Sequence, residues 1–98
     1  MTESSAPTRN VGVDIQDTGD ETRPLIEAIT ADNEGATVSR MPGLIRIQTP
    51  TAMTIRRETV ESKLGRPWET GEFQMSIVSY FGHISDWDDD EIVIRWDH

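Results

Sequence analysis

The 98-residue chain has no cysteine, which excludes a disulfide frame, an iron–sulfur cluster and a cysteine-ligated zinc site. Histidine is almost as scarce. Only His83 and His98 could offer an imidazole, and neither stands in the Glu-x-x-His or His-Glu-x-x-His spacing that sets two ligands on one helical face. No metal is therefore expected. The phosphate-cradling loops Gly-x-Gly-x-x-Gly and Gly-x-x-x-x-Gly-Lys are missing, as is the Gly-x-Ser-x-Gly elbow, so the residues point to no cofactor and no catalysis of the chain's own. No apolar run approaches the roughly 18 residues needed to cross a membrane. The opening Met1-Thr2-Glu3-Ser4-Ser5 lacks the basic, then apolar character of a secretory signal. A soluble, cytoplasmic protein is the expectation.

Positive charge is the next shortage: nine Lys/Arg stand against eighteen Asp/Glu, a formal charge of -9. The acids are segregated, with seven and a single base over residues 14–34, and six and a single base over residues 85–98. Two such flanks repel phosphate and anionic lipid, so neither nucleic acid nor a membrane is expected as a partner, and a protein surface is the simpler complement. An acidic decoy that imitates nucleic acid and blocks a DNA-binding protein is the alternative that this charge allows. Hydrophobic residues make up 35% of the chain, and a domain this small buries only roughly 60–65% of its unfolded surface, so the core is modest.

Residues 1–10 are rich in Ser, Thr and Pro and cannot bury enough surface to offset their ordering entropy, which predicts a flexible tail before a domain over residues 11–98. Val11, Val13 and Ile15 alternate with polar residues and glycine, the period of a half-buried strand. Thr22 and Pro24 suit a helix start. Leu25, Ile26 and Ile29 form its apolar stripe, and Gly35 follows its end. Residues 37–40 and 44–48 read as strands around Met41-Pro42-Gly43-Leu44, a type II turn. Met53 and Ile55 alternate ahead of a second helix over about 57–64, which Gly65 stops, and residues 69–72 turn the chain. Residues 74–81 read as the longest strand, and Ile92, Ile94 and Trp96 alternate in a last one. The order is βαββ followed by βαββ, an α+β fold with two short helices on a largely antiparallel sheet.

Asp86, Asp88 and Asp90 have the spacing of the first three ligands of a calcium loop. The match stops there, because Glu91 stands where the loop needs glycine and Asp97 where it needs a bidentate glutamate. Strict alternation over residues 74–81 would turn Met75 and Ile77 one way and Gln74, Ser76, Val78 and Tyr80 the other. That second set is an uncharged face on a very acidic chain, able to enter a low-dielectric cleft without desolvating a charge.

Leu64-Gly65-Arg66-Pro67-Trp68, followed by Gln74-Met75-Ser76-Ile77-Val78-Ser79-Tyr80-Phe81-Gly82-His83, resembles the regulatory proteins of soluble bacterial diiron monooxygenases. These are the coupling or effector components of methane, phenol, toluene, alkene and propane monooxygenases. The likeness extends upstream through Ile55-Arg56-Arg57-Glu58-Thr59-Val60-Glu61, the hairpin and the first strand and helix. The resemblance implies a cofactor-free, non-catalytic auxiliary that docks on the diiron hydroxylase of a hydrocarbon monooxygenase, with alkene or propane as the expected substrate. There it would reshape the active site, couple NADH-derived electrons to oxygen activation, and compete with the reductase. The family's contact strand carries over onto Ser76, Val78, Ser79 and Tyr80, with Gly82 at the bend. The outward side of the first helix, through Glu27, Thr30, Asp32 and Asn33, would enlarge the contact. Val78 and Tyr80 depart from the small polar residues of the methane enzyme's regulator, and Trp68 replaces a phenylalanine in what reads as scaffold.

Overall fold

The computed structural model describes residues 10–96. The tail expected over residues 1–10 thus lies outside the described residues except for Asn10, which opens the first strand, and His98 and Asp97 lie outside them as well. The elements are β1 (Asn10–Gln16), α1 (Thr22–Asp32), β2 (Thr37–Met41), β3 (Leu44–Pro50), β4 (Ala52–Arg56), α2 (Arg57–Leu64), a 3-10 turn (Thr70–Glu72), α3 (Phe73–Ser76), β5 (Ile77–Phe81), β6 (His83–Trp87) and β7 (Glu91–Arg95). The strands form two antiparallel sheets, β2-β3-β1-β5 and β4-β7-β6. The α+β class stands, with three helices and one strand more than the βαββ–βαββ order expected.

The periodicities explain most of this. Val11, Val13 and Ile15 of β1 face Thr49, Ile47 and Ile45 of β3, so one sheet face is a buried stripe that is apolar except for Thr49. Leu25, Ile26, Ala28 and Ile29 of α1 join that stripe in one core, which Met53, Ile55, Ile92 and Ile94 of the second sheet complete with Val60, Trp68 and Phe73. α2 ends at Gly65, whose φ of 76° is the left-handed conformation and whose N–H donates to the Glu61 carbonyl at 2.8 Å. Arg66 then reaches back to Glu21 through two 2.8 Å hydrogen bonds and to Glu72 at 3.3 Å, tying the end of α2 to the start of α1. Trp68 is buried, with its N–H donating to a Glu61 carboxylate oxygen. The Leu64–Trp68 stretch is scaffold.

Two sharp reversals pass the chain from one sheet to the other. Thr51, with φ 71°, separates β3 from β4, and its carbonyl accepts from Trp96 N–H at 2.8 Å. Gly82, with φ 117°, separates β5 from β6. A Cβ on Gly82 would come within 2.8 Å of Val11 Cγ1 and 2.9 Å of Ile94 Cγ2, so only glycine lets the two sheets approach there.

Three expectations are corrected. Residues 73–76 form a helical turn, not the start of a strand, because the preceding 3-10 turn closes a capping box between Glu69 and Glu72 and passes its curvature on. His83–Trp87 is a strand in a stretch to which the sequence pattern assigned no element. Ile84 and Trp87 pack half-buried against the core, but His83, Ser85 and Asp86 are exposed because β6 is a sheet edge, so the regular apolar alternation of a buried strand is missing. Trp96 lies beyond β7 and is 39% exposed, whereas Ile92, Val93 and Ile94 are all buried because β7 is a central strand covered on both faces.

Candidate docking surface

β5 is one edge of the four-stranded sheet, β2 being the other, and among the described residues it pairs with β1 alone. Its register shifts in mid-strand. Phe81, Tyr80 and Ser79 face Gly12, Val13 and Asp14 in turn, after which Ile77 faces Ile15, and Val78 is left without a partner. A bulge of this kind changes which face each side chain occupies, so the strict alternation expected over residues 74–81 does not hold. Ile77 and Tyr80 both oppose core-facing residues of β1, while Ser79 and Phe81 lie on the opposite face.

Exposure separates the expected contact residues. Val78 is 54% and Tyr80 49% exposed, large values for apolar side chains on a strand, and Met75, expected to point with Ile77, is 83% exposed on α3. Met75 was missed because its period belongs to a helical turn. Ser76 is half-buried at the end of α3, not on the strand. Ser79 donates its hydroxyl to Asp14 Oδ2 at 2.9 Å. Gly82 is exposed and forms the reversal that ends the strand.

On α1, Glu27 is exposed and pairs with Arg23 at 3.4 Å, and the half-buried Thr30 donates to the carbonyls of Ile26 and Glu27 within its own helix. Asn33 does not lie on the outward side. It is 8% exposed, its Nδ2 donates to the carbonyls of Ile29 and Thr54 at 2.7 Å, and its Oδ1 accepts from Thr54 N–H at 2.8 Å. The amide bonds helix α1 to strand β4, so its polar atoms are committed within the chain. A helical wheel could not show this, because the demand comes from the unpaired backbone of β4, 21 residues away.

The face of the sheet opposite the core holds a group that pattern reading passed over. Asp14 is 5% exposed, and its carboxylate accepts from Arg46 Nε at 2.7 Å, Arg46 Nη2 at 3.1 Å and Ser79. Those bonds hold its pKa below the ordinary carboxylate value, chiefly through Arg46, against the opposing effect of burial. The Arg46 guanidinium lies 5.3 Å from the centre of the Phe81 ring, and that ring sits so close over Gly12 that a Cβ there would come within 2.8 Å of it. An aspartate inside an alternating strand was the available signal. Its partners come from strands 32 and 65 residues distant.

At the other end of the molecule, the β6–β7 hairpin holds the acidic run. The Asp88 carboxylate accepts from the N–H groups of Asp90 and Glu91 at 2.8 and 2.9 Å, which lowers its pKa and makes it a turn-former. Among the described residues no group of three or more His, Cys, Asp or Glu is placed to hold a metal ion, and no helix is long and apolar enough to cross a membrane. An open groove of about 510 Å³ lined by Arg57, Glu69, Thr70, Gly71, Trp87, Asp88 and Asp89 flanks this hairpin, and none of the expected contact residues lines it.

Fold and surface together define a small α+β domain whose distinctive feature is a bulged, half-apolar sheet edge on a strongly acidic body. The chain matches the MmoB/DmpM family over residues 9–95 and belongs to that family. It is 41% identical over 77 residues to the stimulatory component DmpM of phenol 2-monooxygenase from Pseudomonas sp. (strain CF600), covering 79% of this chain and 84% of that protein. It superposes on a chain of the phenol hydroxylase–regulatory protein complex with a TM-score of 0.82 at 39% identity, over 90% of this chain and 99% of the other. The soluble methane monooxygenase regulatory protein B shares the fold, with a TM-score of 0.69 at 17% identity over 98% of this chain and 71% of that one.

Proposed function

We propose that this chain is the non-catalytic regulatory component of a multicomponent monooxygenase, and that it docks on the diiron hydroxylase through the β5 edge. The observation that carries this is the exposure of Val78 and Tyr80 on a sheet edge, in a chain whose 41%-identical relative is a stimulatory component and whose fold recurs in a hydroxylase–regulatory protein complex. Val78 and Tyr80 are the central contacts, joined by Met75 and flanked by Ser76, while Glu27 and Thr30 of α1 lie at the rim. Docking acts by differential affinity. The chain binds one hydroxylase conformation more tightly than another, which is the only way a ligand shifts such an equilibrium, and so couples NADH-derived electrons to oxygen activation and substrate oxidation. The domain of residues 11–98 performs this in the cytoplasm, with residues 1–10 as an accessory tail, without a cofactor, and in competition with the reductase.

For the substrate, the family resemblance implies a hydrocarbon such as an alkene or propane. The phenol monooxygenase relative supports a phenolic substrate as a second reading. Nothing observed supports the nucleic-acid decoy. Adding the chain to hydroxylase and reductase should raise the product formed per NADH oxidised until the hydroxylase is saturated, and the substrate whose oxidation rises identifies the enzyme. An unchanged yield at every ratio, with each substrate, would reject the proposal.

A further inference from the structure

Ser79 belongs to the stretch expected to touch a partner, yet its hydroxyl is already committed within the chain. It donates to Asp14 Oδ2 at 2.9 Å, and the same carboxylate accepts two bonds from Arg46, so β5, β1 and β3 are joined side chain to side chain on the face opposite the core. Arg46 lies against the Phe81 ring, which covers Gly12, and this cover is why both Gly12 and Asp14 are buried on the side away from the hydrophobic core. The junction sits at the level where β5 leaves regular pairing. Ser79 is held opposite Asp14, the next pair is Ile77 with Ile15, and Val78 is extruded between them. Edge strands slip unless something fixes them, and a slip of one residue turns every side chain to the other face. Here it would re-aim Val78 and Tyr80, the side chains that stand exposed.

We propose that Asp14, Arg46, Ser79 and Phe81 form a clasp that sets the register of β5, so that Val78 and Tyr80 are presented to the hydroxylase before contact is made. It rests on the docking role proposed above. Ser79 is then a positioning residue and not a contact. A bond from a hydroxyl to an ionised carboxylate is among the stronger kind, and Arg46 keeps that carboxylate ionised and fixed in place. If the presented register is populated only in part, the apparent affinity for the partner falls by that fraction, so the clasp acts by pre-organisation.

The test uses the full chain and three variants, Ser79→Ala, Ser79→Thr and Val78→Asp. Two quantities are measured: affinity in a titration of the hydroxylase, and amide hydrogen exchange of residues 77–81 in the free chain. Ser79→Ala should weaken docking roughly tenfold, the equivalent of one charge-assisted hydrogen bond, and speed exchange along β5 before any partner is present. Ser79→Thr keeps the hydroxyl and should restore both. Weakened docking with unchanged exchange would make Ser79 a direct contact and overturn the clasp, as would faster exchange with native affinity, or no change in either. Native affinity in Val78→Asp would instead remove the edge from the interface, a failure of the docking role and not of the clasp alone.

Discussion

Asp14 shows how one side chain's surroundings become a property of the whole chain. Its carboxylate is buried and held by Arg46 and Ser79, so its pKa lies below the ordinary value of 3.8. A group whose folded-state pKa is depressed contributes stability above its unfolded-state pKa and loses it as pH falls through the folded value. The native chain should therefore lose stability steeply once the pH drops below about 4. Asp14→Asn cannot ionise and should show a flatter profile over that range. It should also be less stable at neutral pH by about 1.5–3 kcal/mol, the range for hydrogen bonds to a charged group. Urea titrations of both chains between about pH 7 and pH 2.5 measure this; parallel profiles would mean that Glu21 or Asp88, whose pKa values are also lowered by their hydrogen bonds, governs the acid limb. Asn33 makes the complementary point, because a polar residue near a helix end can serve the interior when a neighbouring strand leaves backbone groups unpaired.

The elements that carry the candidate surface owe their placement to turns as much as to strands. Gly82 brings β5 to its edge position, and a methyl group there would meet Val11, Ile94 and the Arg95 carbonyl while demanding a φ that L-residues avoid. Gly82→Ala should cost about 2–4 kcal/mol, combining overpacking with the left-handed penalty, and a urea midpoint equal to that of the native chain would show that the two sheets can part at no cost. Local pattern did identify β1, α1, the β2–β3 hairpin, β4 and α2, because each carries its own period and its own stop signal, as with Leu25, Ile26 and Ile29 ahead of Gly35, or Val60 ahead of Gly65. It failed where the deciding force came from elsewhere. Phe73–Ser76 has apolar alternation but inherits helical curvature from the capping box before it. The bulge at Val78 exists only because β1 lies alongside, so the facing of Tyr80 could not be read from β5 alone. The Asp14 clasp joins residues from three strands, so its signal was a lone aspartate in a hydrophobic run.

At the scale of the molecule, charge and apolar surface act on different steps of association. The body carries a formal charge of -9, yet Met75, Val78 and Tyr80, among its most exposed large hydrophobic side chains, cluster within six residues of one edge. Long-range charge steers encounter and is screened over roughly 8 Å at physiological salt and 3 Å at 1 M, whereas the apolar centre of an interface sets how long the complex lasts. Raising salt from about 0.1 to 0.5 M should then slow association severalfold and leave the dissociation rate nearly unchanged, so that affinity falls by less than about tenfold. Stopped-flow or surface-binding kinetics with the hydroxylase separate the two rates. A dissociation rate that rises in step with salt would place ion pairs, not the β5 edge, at the centre of the contact, and the acidic flanks, Glu27 with them, would become the interface.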